Sequence, residues 1–240
     1  MKKNKKSWTV IMKRELYSYF TSPIAYFVIC LFLVACGLLV FSTFFISGRA
    51  ELRSFFVLLP IVFSFFIPAL TMRVFSEEKR SGSYETLLTL PVTLKDIVIG
   101  KYLAVCVCAL AMLVPTVFYI ITCFAFGSPD TGPIIGGYIG AVLLLMAFCA
   151  IGVFASAITK NQIIAFFTAF SICIVLSFLD NFAVLLPAAA VPVVEFFSAS
   201  GHFESVARGV LDTRDLIYFI SVALGFTVST VCILDDSRKA

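Results

Sequence analysis

The chain has 240 residues, of which 61% are hydrophobic and 13% are charged, with a formal net charge of +4. A soluble domain has about 45–50% apolar and about 25% charged residues, so this sequence has roughly half the charge needed to cover a water-facing surface. The composition therefore excludes a soluble enzyme, a nucleic-acid-binding domain and a disordered protein. The surplus apolar residues must face lipid, and the positive charge reflects how charge is distributed across a membrane.

A short amphipathic helix is predicted at the start of the chain. Its apolar side chains follow the spacing of one helical face and are Trp8, Ile11, Met12, Leu16, Tyr19 and Phe20. The helix is expected in the cytoplasmic membrane interface, with this stripe facing lipid and its basic residues near anionic headgroups. The residues predicted at the interface are Trp8, Ile11, Lys13, Arg14 and Tyr19. Binding of a calmodulin-type or other partner is the alternative interpretation.

Six uncharged stretches are long enough to cross a membrane as helices, for which about 20 residues are needed. They cover residues 24–46, 54–72, 102–126, 134–158, 163–179 and 216–234. A seventh apolar stretch, 182–194, is interrupted by Pro187 and Pro192 and is expected to be an external loop or re-entrant segment. Buried core helices are the alternative interpretation, and the number of such stretches argues against it. The predicted fold class is an all-α, polytopic membrane protein with six transmembrane helices in a single domain, 1–240.

The basic residues predict the orientation of these spans, because short loops rich in lysine and arginine stay on the cytoplasmic side. Fourteen of the 18 basic residues lie in the N-terminal arm, the second and fourth loops and the C-terminal tail. The remaining four, Arg49, Arg53, Arg208 and Arg214, lie on the other side. Both termini are therefore predicted to be cytoplasmic, which agrees with an even number of spans.

Residues 73–101, between the second and third spans, form the longest polar stretch on the predicted cytoplasmic side. The stretch opens with a cluster of mixed charge and a glycine that permits a turn, namely Glu77, Glu78, Lys79, Arg80 and Gly82. Thr93 and Asp96 have the spacing of a capping box, which predicts the start of the helix leading into the third span. These features indicate ordered structure rather than a linker.

A short helix is predicted between that turn and the capping box. Ser83 can cap this helix, and Pro91 prevents it from continuing. Its apolar face would present Tyr84, Leu87 and Leu88, which favours a docking surface for another protein. The alternative is a solvated hairpin that only connects two spans.

The predicted external segment, residues 180–215, contains the only histidine of the sequence. Its ionisable residues include His202, Glu204, Arg208, Asp212, Arg214 and Asp215. A single histidine among irregularly spaced acids is more typical of a polar cap over the end of a bundle than of a metal or catalytic cluster. In the fourth span, Gly136 and Gly140 have GxxxG spacing, which suggests close helix packing.

The predicted spans contain no Asp, Glu, Lys, Arg or His, whereas ion-coupled transporters usually place ionisable residues there. The sequence also lacks the HExxH and GxSxG motifs of hydrolases and the GxxxxGK[ST] loop that binds nucleotide phosphates. All eight cysteines lie in predicted spans, without metal-ligand spacing. No catalytic residue, metal or cofactor is therefore expected in this chain, and ATP-driven work would need a separate polypeptide.

Four blocks of the sequence, residues 21–29, 67–103, 151–167 and 202–222, carry a resemblance to a known family. They resemble type-2 ABC transporter permeases, and most closely the permease associated with bacterial gliding motility. The second block is the most specific, because a charge cluster, a glycine, a leucine-rich turn, a proline and a Gly-Lys exit follow in order. Ser83-Tyr84 departs from the family, in which Thr-Leu is frequent at this place, but the apolar face is retained.

The resemblance implies a six-helix permease that pairs with a second copy or a paralogue and binds two ATPase subunits. ATP and Mg would be used by the ATPase, with no cofactor bound by this chain. In the family, a coupling helix between spans two and three lies in a groove of the ATPase. Carried onto this sequence, the coupling residues are Glu77, Glu78, Lys79, Arg80, Gly82, Tyr84, Glu85, Leu87, Leu88 and Pro91.

The expected function is that of a permease subunit of an exporter in the bacterial cytoplasmic (inner) membrane. It would couple ATP hydrolysis in a separate ATPase to movement of a substrate whose identity the uniformly apolar spans leave open. The alternative is a non-transporting membrane anchor or scaffold of an envelope or motility assembly. An adjacent reading frame with a GxxxxGKST loop would favour the transporter.

Overall fold

The structure is a computed structural model that describes residues 7–47, 52–84, 92–127, 129–183, 191–210 and 212–239. Within these ranges the chain is helical and contains no strand. The helices are, in chain order, α1 (Ser7–Thr21), α2 (Pro23–Ser47), α3 (Arg53–Thr71), α4 (Ser76–Ser81), α5 (Leu94–Leu113), α6 (Val117–Phe126), α7 (Thr131–Ile158), α8 (Gln162–Ala183), α9 (Val191–Phe197), α10 (Ala199–Ala207) and α11 (Thr213–Lys239). A short 3-10 turn, Val114–Thr116, joins α5 to α6.

Six segments of the described chain are long and apolar enough to cross a membrane, and each overlaps one predicted span. They are Pro23–Ser42, Arg53–Ser81, Leu94–Phe126, Thr131–Ile158, Gln162–Phe182 and Thr213–Asp236. The predicted all-α, polytopic fold with six membrane-spanning helices is therefore confirmed. Helices α1, α4, α9 and α10 are shorter and pack at the ends of the bundle.

The third spanning segment begins at Leu94, well before the uncharged stretch that starts at Tyr102. The predicted capping pair explains this start. The Thr93 hydroxyl oxygen accepts a hydrogen bond from the Asp96 amide at 3.2 Å, and the hydroxyl donates to the Asp96 carboxylate at 2.7 Å. Near the other end, the helix tightens to a 3-10 turn at Pro115, which has no amide hydrogen to donate. A search for uncharged stretches misses the first two turns of α5, because these turns contain charged residues.

Helix α7 is the centre of the bundle and packs against α3, α5, α8, α10 and α11. Glycine makes this close packing possible, because a Cβ on Gly137 would lie only 2.6 Å from the Phe56 ring of α3. Further along, a Cβ on Gly152 would overlap the Thr71 side chain at the other end of α3. The two helices are therefore in contact along most of their lengths.

The GxxxG pair of α7 packs against the short helix α10, whereas GxxxG pairs commonly join two spans. A Cβ on Gly136 would overlap the Val206 carbonyl oxygen, and one on Gly140 would lie 3.0 Å from the Val206 side chain and 3.2 Å from the Phe203 ring. The close packing suggested by the spacing is present. Its partner is a segment that the sequence analysis placed in the external loop.

The bundle has two distinct ends. The α4 end contains α1, α4 and the first turns of α5. The α10 end contains α9, α10 and the first turn of α11. Helices α3 and α8 both run between these ends. Helix α8 contacts both α4 and α10, whereas α3 contacts α10 and leads into α4 along the chain. Helix α11 also connects them, because Asp215 in its first turn contacts His202 and Arg238 near its C-terminus acts on Tyr84 beside α4.

Candidate coupling site

Helix α4 is the folded form of the predicted charge cluster. Its first turn contains Glu77 and Glu78 and its last turn Lys79 and Arg80, an order that suits the helix dipole. It ends at Gly82, whose φ of 75° lies in the left-handed region that glycine adopts without strain. The sequence thus predicts both the cluster and the turn that follows it.

The four charges of α4 have different environments. Glu77 is exposed and forms a bidentate pair with Arg73, at 2.8 and 3.1 Å. Glu78 and Lys79 are partly buried and bind to the rest of the bundle. Arg80 is exposed and forms no ion pair with another residue in the described part of the chain. Arg80 is therefore the charge of α4 most available to a partner.

Two neighbouring residues of α7 hold α4 at both of its ends. The Ser156 hydroxyl oxygen accepts hydrogen bonds from the Phe75 and Ser76 amides at 3.0 and 3.1 Å, and it donates to the Met72 carbonyl at 3.0 Å. It thereby caps a helix that has no capping side chain of its own. At the other end, the Lys79 ammonium donates to the Ala157 carbonyl oxygen.

Lys101 connects α4 to α1 and α5. Its side chain is only 1% exposed, and its ammonium contacts Glu78 Oε1 at 2.9 Å, Glu15 Oε1 at 3.1 Å and the Val74 carbonyl at 2.9 Å. A lysine ammonium has three N–H donors, so this buried group is fully hydrogen-bonded. Burial of a charge without such partners would be strongly unfavourable.

Arg14, on the exposed side of α1, lies close to the same two carboxylates that Lys101 contacts. Its guanidinium lies 3.3 Å from Glu78 Oε1 and 3.6 Å from Glu15 Oε1. Two cations therefore balance two carboxylates, and the cluster has no net charge. We call Arg14, Glu15, Glu78 and Lys101 the charge network. It joins three segments that are distant in sequence.

The sequence analysis missed the role of Lys101, which served there only to predict topology. A signal was present: Lys101 lies in the second turn of the helix capped by Thr93, directly before an uncharged stretch. A lysine within the register of a spanning helix needs a counter-ion. The sequence does not reveal which carboxylates provide it, because Glu15 and Glu78 come from other elements.

Tyr84 was predicted to be part of an exposed docking face, but it is buried, with 7% of its surface accessible. The left-handed turn at Gly82 brings it next to α4, where the Lys79 ammonium lies 5.5 Å from the centre of its ring. Burial raises the pKa of the Tyr84 phenol, and the Glu78 carboxylate raises it further, so the phenol stays neutral. The other predicted members of this face, Glu85, Leu87, Leu88 and Pro91, lie outside the described residues.

Helix α1 was expected to turn its whole apolar stripe toward lipid, and this is wrong for two members of the stripe. Ile11 and Tyr19 pack against the protein core, and the Tyr19 hydroxyl donates to the Leu70 carbonyl at 3.0 Å. The reason is Gly100 of α5, where a Cβ would lie 2.8 Å from the Trp8 carbonyl and 3.1 Å from Ile11. Phe20 of the stripe is exposed, as are Lys13 and Arg14 on its polar side.

The arrangement is thus a six-span bundle with a charged helix fixed between the second and third spans. The sequence matches the family described as ABC-2 family transporter protein over residues 41–197, well over half of the chain. The chain belongs to this family. No curated protein matches it. The matched residues of this ABC-2 protein include α3, α4, α5, α7 and α8, so they contain the coupling site except for α1.

Membership of the ABC-2 family, together with the six apolar helices, makes the chain a multi-pass membrane protein and a permease component of an ABC transporter. In the described residues, no group of three or more His, Cys, Asp or Glu side chains is arranged to hold a metal ion.

Proposed function

We propose that this ABC-2 permease works with a separate ATPase subunit that docks at the α4 end. Its role is to convert closure of the ATPase around ATP and Mg into movement of the spanning helices. The observation that carries this proposal is the attachment of α4. The helix presents the exposed Arg80 outward and is bound inward through Glu78, Lys79 and the Ser156 cap.

The attachments provide two routes for force. A displacement of α4 acts on α7 through Ser156 and Ala157, and on α5 and α1 through Lys101. Because Lys101 and Ser156 are fully buried, these hydrogen bonds are shielded from water and resist small displacements. The bundle would then rearrange between its two access states as packed helices move relative to one another.

Several finer features belong to the same proposal. The α4 end and both termini are cytoplasmic, as the distribution of lysine and arginine predicts. The membrane is the bacterial inner membrane, the functional unit contains a second permease copy or paralogue, and the direction is export. The similarity of the four sequence blocks supports a relationship to the permease of gliding motility.

The test is reconstitution of the full chain in nanodiscs with the ATPase encoded beside it. Arg80→Glu reverses the exposed charge of α4 and should weaken ATPase binding by roughly tenfold, because it replaces an attractive charge by a repulsive one. Lys13→Glu, which reverses an exposed charge on α1, is the matched control and should bind normally.

Undiminished binding and undiminished stimulation of ATP hydrolysis by Arg80→Glu would contradict docking on α4. If the wild-type chain does not bind the ATPase at all, the scaffold alternative is favoured instead. A normal melting temperature of the variant separates lost docking from lost folding.

A further inference from the structure

The α10 end of the bundle contains the only histidine of the sequence, His202. Its imidazole forms hydrogen-bond contacts with two other helices, α9 and α11. His202 Nδ1 lies 2.6 Å from Asp215 Oδ1 on α11, and His202 Nε2 lies 3.2 Å from the Phe196 carbonyl oxygen on α9. The imidazole stacks on the Tyr218 ring of α11, with centroids 4.3 Å apart. His202 itself belongs to α10, so its ring contacts two neighbouring helices at once.

The two hydrogen bonds determine where protons must be. A backbone carbonyl only accepts, so Nε2 carries a hydrogen and donates it to Phe196. The contact between Nδ1 and the Asp215 carboxylate then needs a second proton between those two atoms. Without it, the Nδ1 lone pair and a carboxylate oxygen would face each other at 2.6 Å. Both hydrogen bonds of the imidazole can therefore form only when the His202–Asp215 pair has bound this proton.

The position of Asp215 strengthens this requirement. It lies in the first turn of α11, where the helix dipole stabilises the ionised carboxylate. Its side chain is 6% exposed, and its second oxygen, Oδ2, has no hydrogen-bond partner among the described residues. Protonated His202 is thus the group that compensates the buried charge of Asp215.

Other ionisable groups surround this pair but do not bond to the imidazole. The Asp180 carboxylate of α8 packs against Gly201, the residue before His202. Glu204 and Arg208 of α10 pair with each other at 2.7 Å. Helix α7 contributes no charged side chain to this end. Among the described residues of the neighbouring segments, the remaining ionisable groups are Arg53, Asp130, Glu195, Asp212, Arg214 and Tyr218.

We propose that α9 and α10 form a proton-dependent latch on α11. The latch is closed while the proton is held between His202 and Asp215, and it opens when the proton is lost. The open state holds one proton fewer than the closed state, so a rise in pH opens the latch. This inference concerns the end opposite α4 and stands independently of ATPase docking.

Opening of the latch frees α10 from α11 and leaves the other contacts of α10 in place. Besides the histidine contacts, α10 packs on α3, α8 and the glycine face of α7 through its buried Phe203 and Val206, and the Ser200 hydroxyl donates to the Ser177 carbonyl at 2.5 Å. Tyr218 remains bound to the Phe197 carbonyl at 2.8 Å in either protonation state, because its hydroxyl needs no proton from His202. Tyr218 therefore limits how far α9 can separate from α11.

The first experiment is a pH titration of the full chain in nanodiscs, labelled with ¹⁵N-histidine and purified with a tag that lacks histidine. Because the chain has one histidine, the imidazole signals need no assignment. We expect both ring nitrogens to be protonated at pH 5 and Nδ1 alone to lose its proton by pH 8.5. A neutral ring at pH 5, or a doubly protonated ring that persists at pH 8.5, would overturn the proposal.

The second experiment measures hydrogen exchange of the α10 amides over the same pH range, corrected for the intrinsic exchange rate. Protection should fall by roughly tenfold as Nδ1 loses its proton, equivalent to about 1.4 kcal/mol. His202→Gln should show the low protection at every pH, whereas Glu204→Gln on the same helix should retain the wild-type response. Equal pH dependence in wild type and His202→Gln would contradict the latch, and wild-type protection that does not change with pH would do so even if the variant fails to fold.

Discussion

The α4 end and the α10 end attach a short helix to the same central helix by different means. At the α4 end, α7 contributes Ser156 and the Ala157 carbonyl, and the charge network adds buried ion pairs with balanced charge. At the α10 end, α7 contributes the glycine surface of Gly136 and Gly140, and His202 provides the polar contact of α10 with α11. Several buried hydrogen bonds make a rigid joint, whereas close packing with one titratable contact makes a releasable one.

The difference suits the two roles that we propose. A helix that transmits force must move with the bundle, so its contacts should not depend on one proton. A helix that opens one end must separate from α11 without unfolding the spans. One contact, between His202 and Asp215, should therefore control this separation. Substitutions at each end should therefore have unequal costs, as the following predictions specify.

The largest effect is expected for Lys101→Met. Removal of the ammonium leaves the partly buried Glu15 and Glu78 with only the exposed Arg14 as a counter-ion, which should cost about 3–5 kcal/mol. The measurement is thermal unfolding in detergent, followed by the reaction of buried cysteines with a fluorogenic maleimide. Lys95→Met, an exposed lysine on the same helix, should change stability by less than about 0.5 kcal/mol. Equal effects of the two variants would contradict the importance of the charge network.

Gly136→Ala should have the next largest effect, because the added Cβ overlaps the Val206 carbonyl of α10. Overpacking of this kind costs about 1–3 kcal/mol. The loss should appear as faster hydrogen exchange in α10 while the α4 end keeps its protection. Gly132→Ala, on the same helix with open space around it, is the control and should be neutral or slightly stabilising. Faster hydrogen exchange at both ends in Gly136→Ala would show that the two ends do not open independently.

Ser156→Ala removes the cap of α4 and should cost about 1–2 kcal/mol, since the Phe75 and Ser76 amides lose their acceptor. Hydrogen exchange at these two amides should accelerate more than exchange in α10. Ser229→Ala, at an exposed serine of α11, provides a comparison in which little change is expected. Unchanged exchange at both amides would show that Ser156 is dispensable as a cap.

The smallest effect is expected for Arg14→Gln. The Arg14 side chain is 62% exposed, so its contacts with Glu78 and Glu15 should contribute less than about 1 kcal/mol. Salt should remove most of that contribution, whereas it should leave the effect of Lys101→Met nearly unchanged. The two variants compared at low and at 1 M salt thus distinguish the exposed and buried halves of the same network. A large effect of Arg14→Gln at high salt would disagree with this assignment.

Local signals account for the parts of the fold that the sequence predicts well. The cap at Thr93 and the turn at Gly82 depend on neighbouring residues only, and the six spans depend on length and hydropathy. The GxxxG spacing correctly indicated close packing but did not identify α10 as the partner. The lipid-facing assignments of Ile11 and Tyr19 failed because an apolar stripe looks the same whether it faces lipid or protein.

The sequence by itself determined the class of protein, since a chain so poor in charge can bury its apolar surface only in a membrane. It also determined where helices begin and turn, because caps and glycines act over a few residues. Only the tertiary structure decided which groups meet: Glu15, Glu78 and Lys101 at one end, and His202 and Asp215 at the other. Such pairs join elements that are distant along the chain, and their geometry follows from how helices pack rather than from the order of residues.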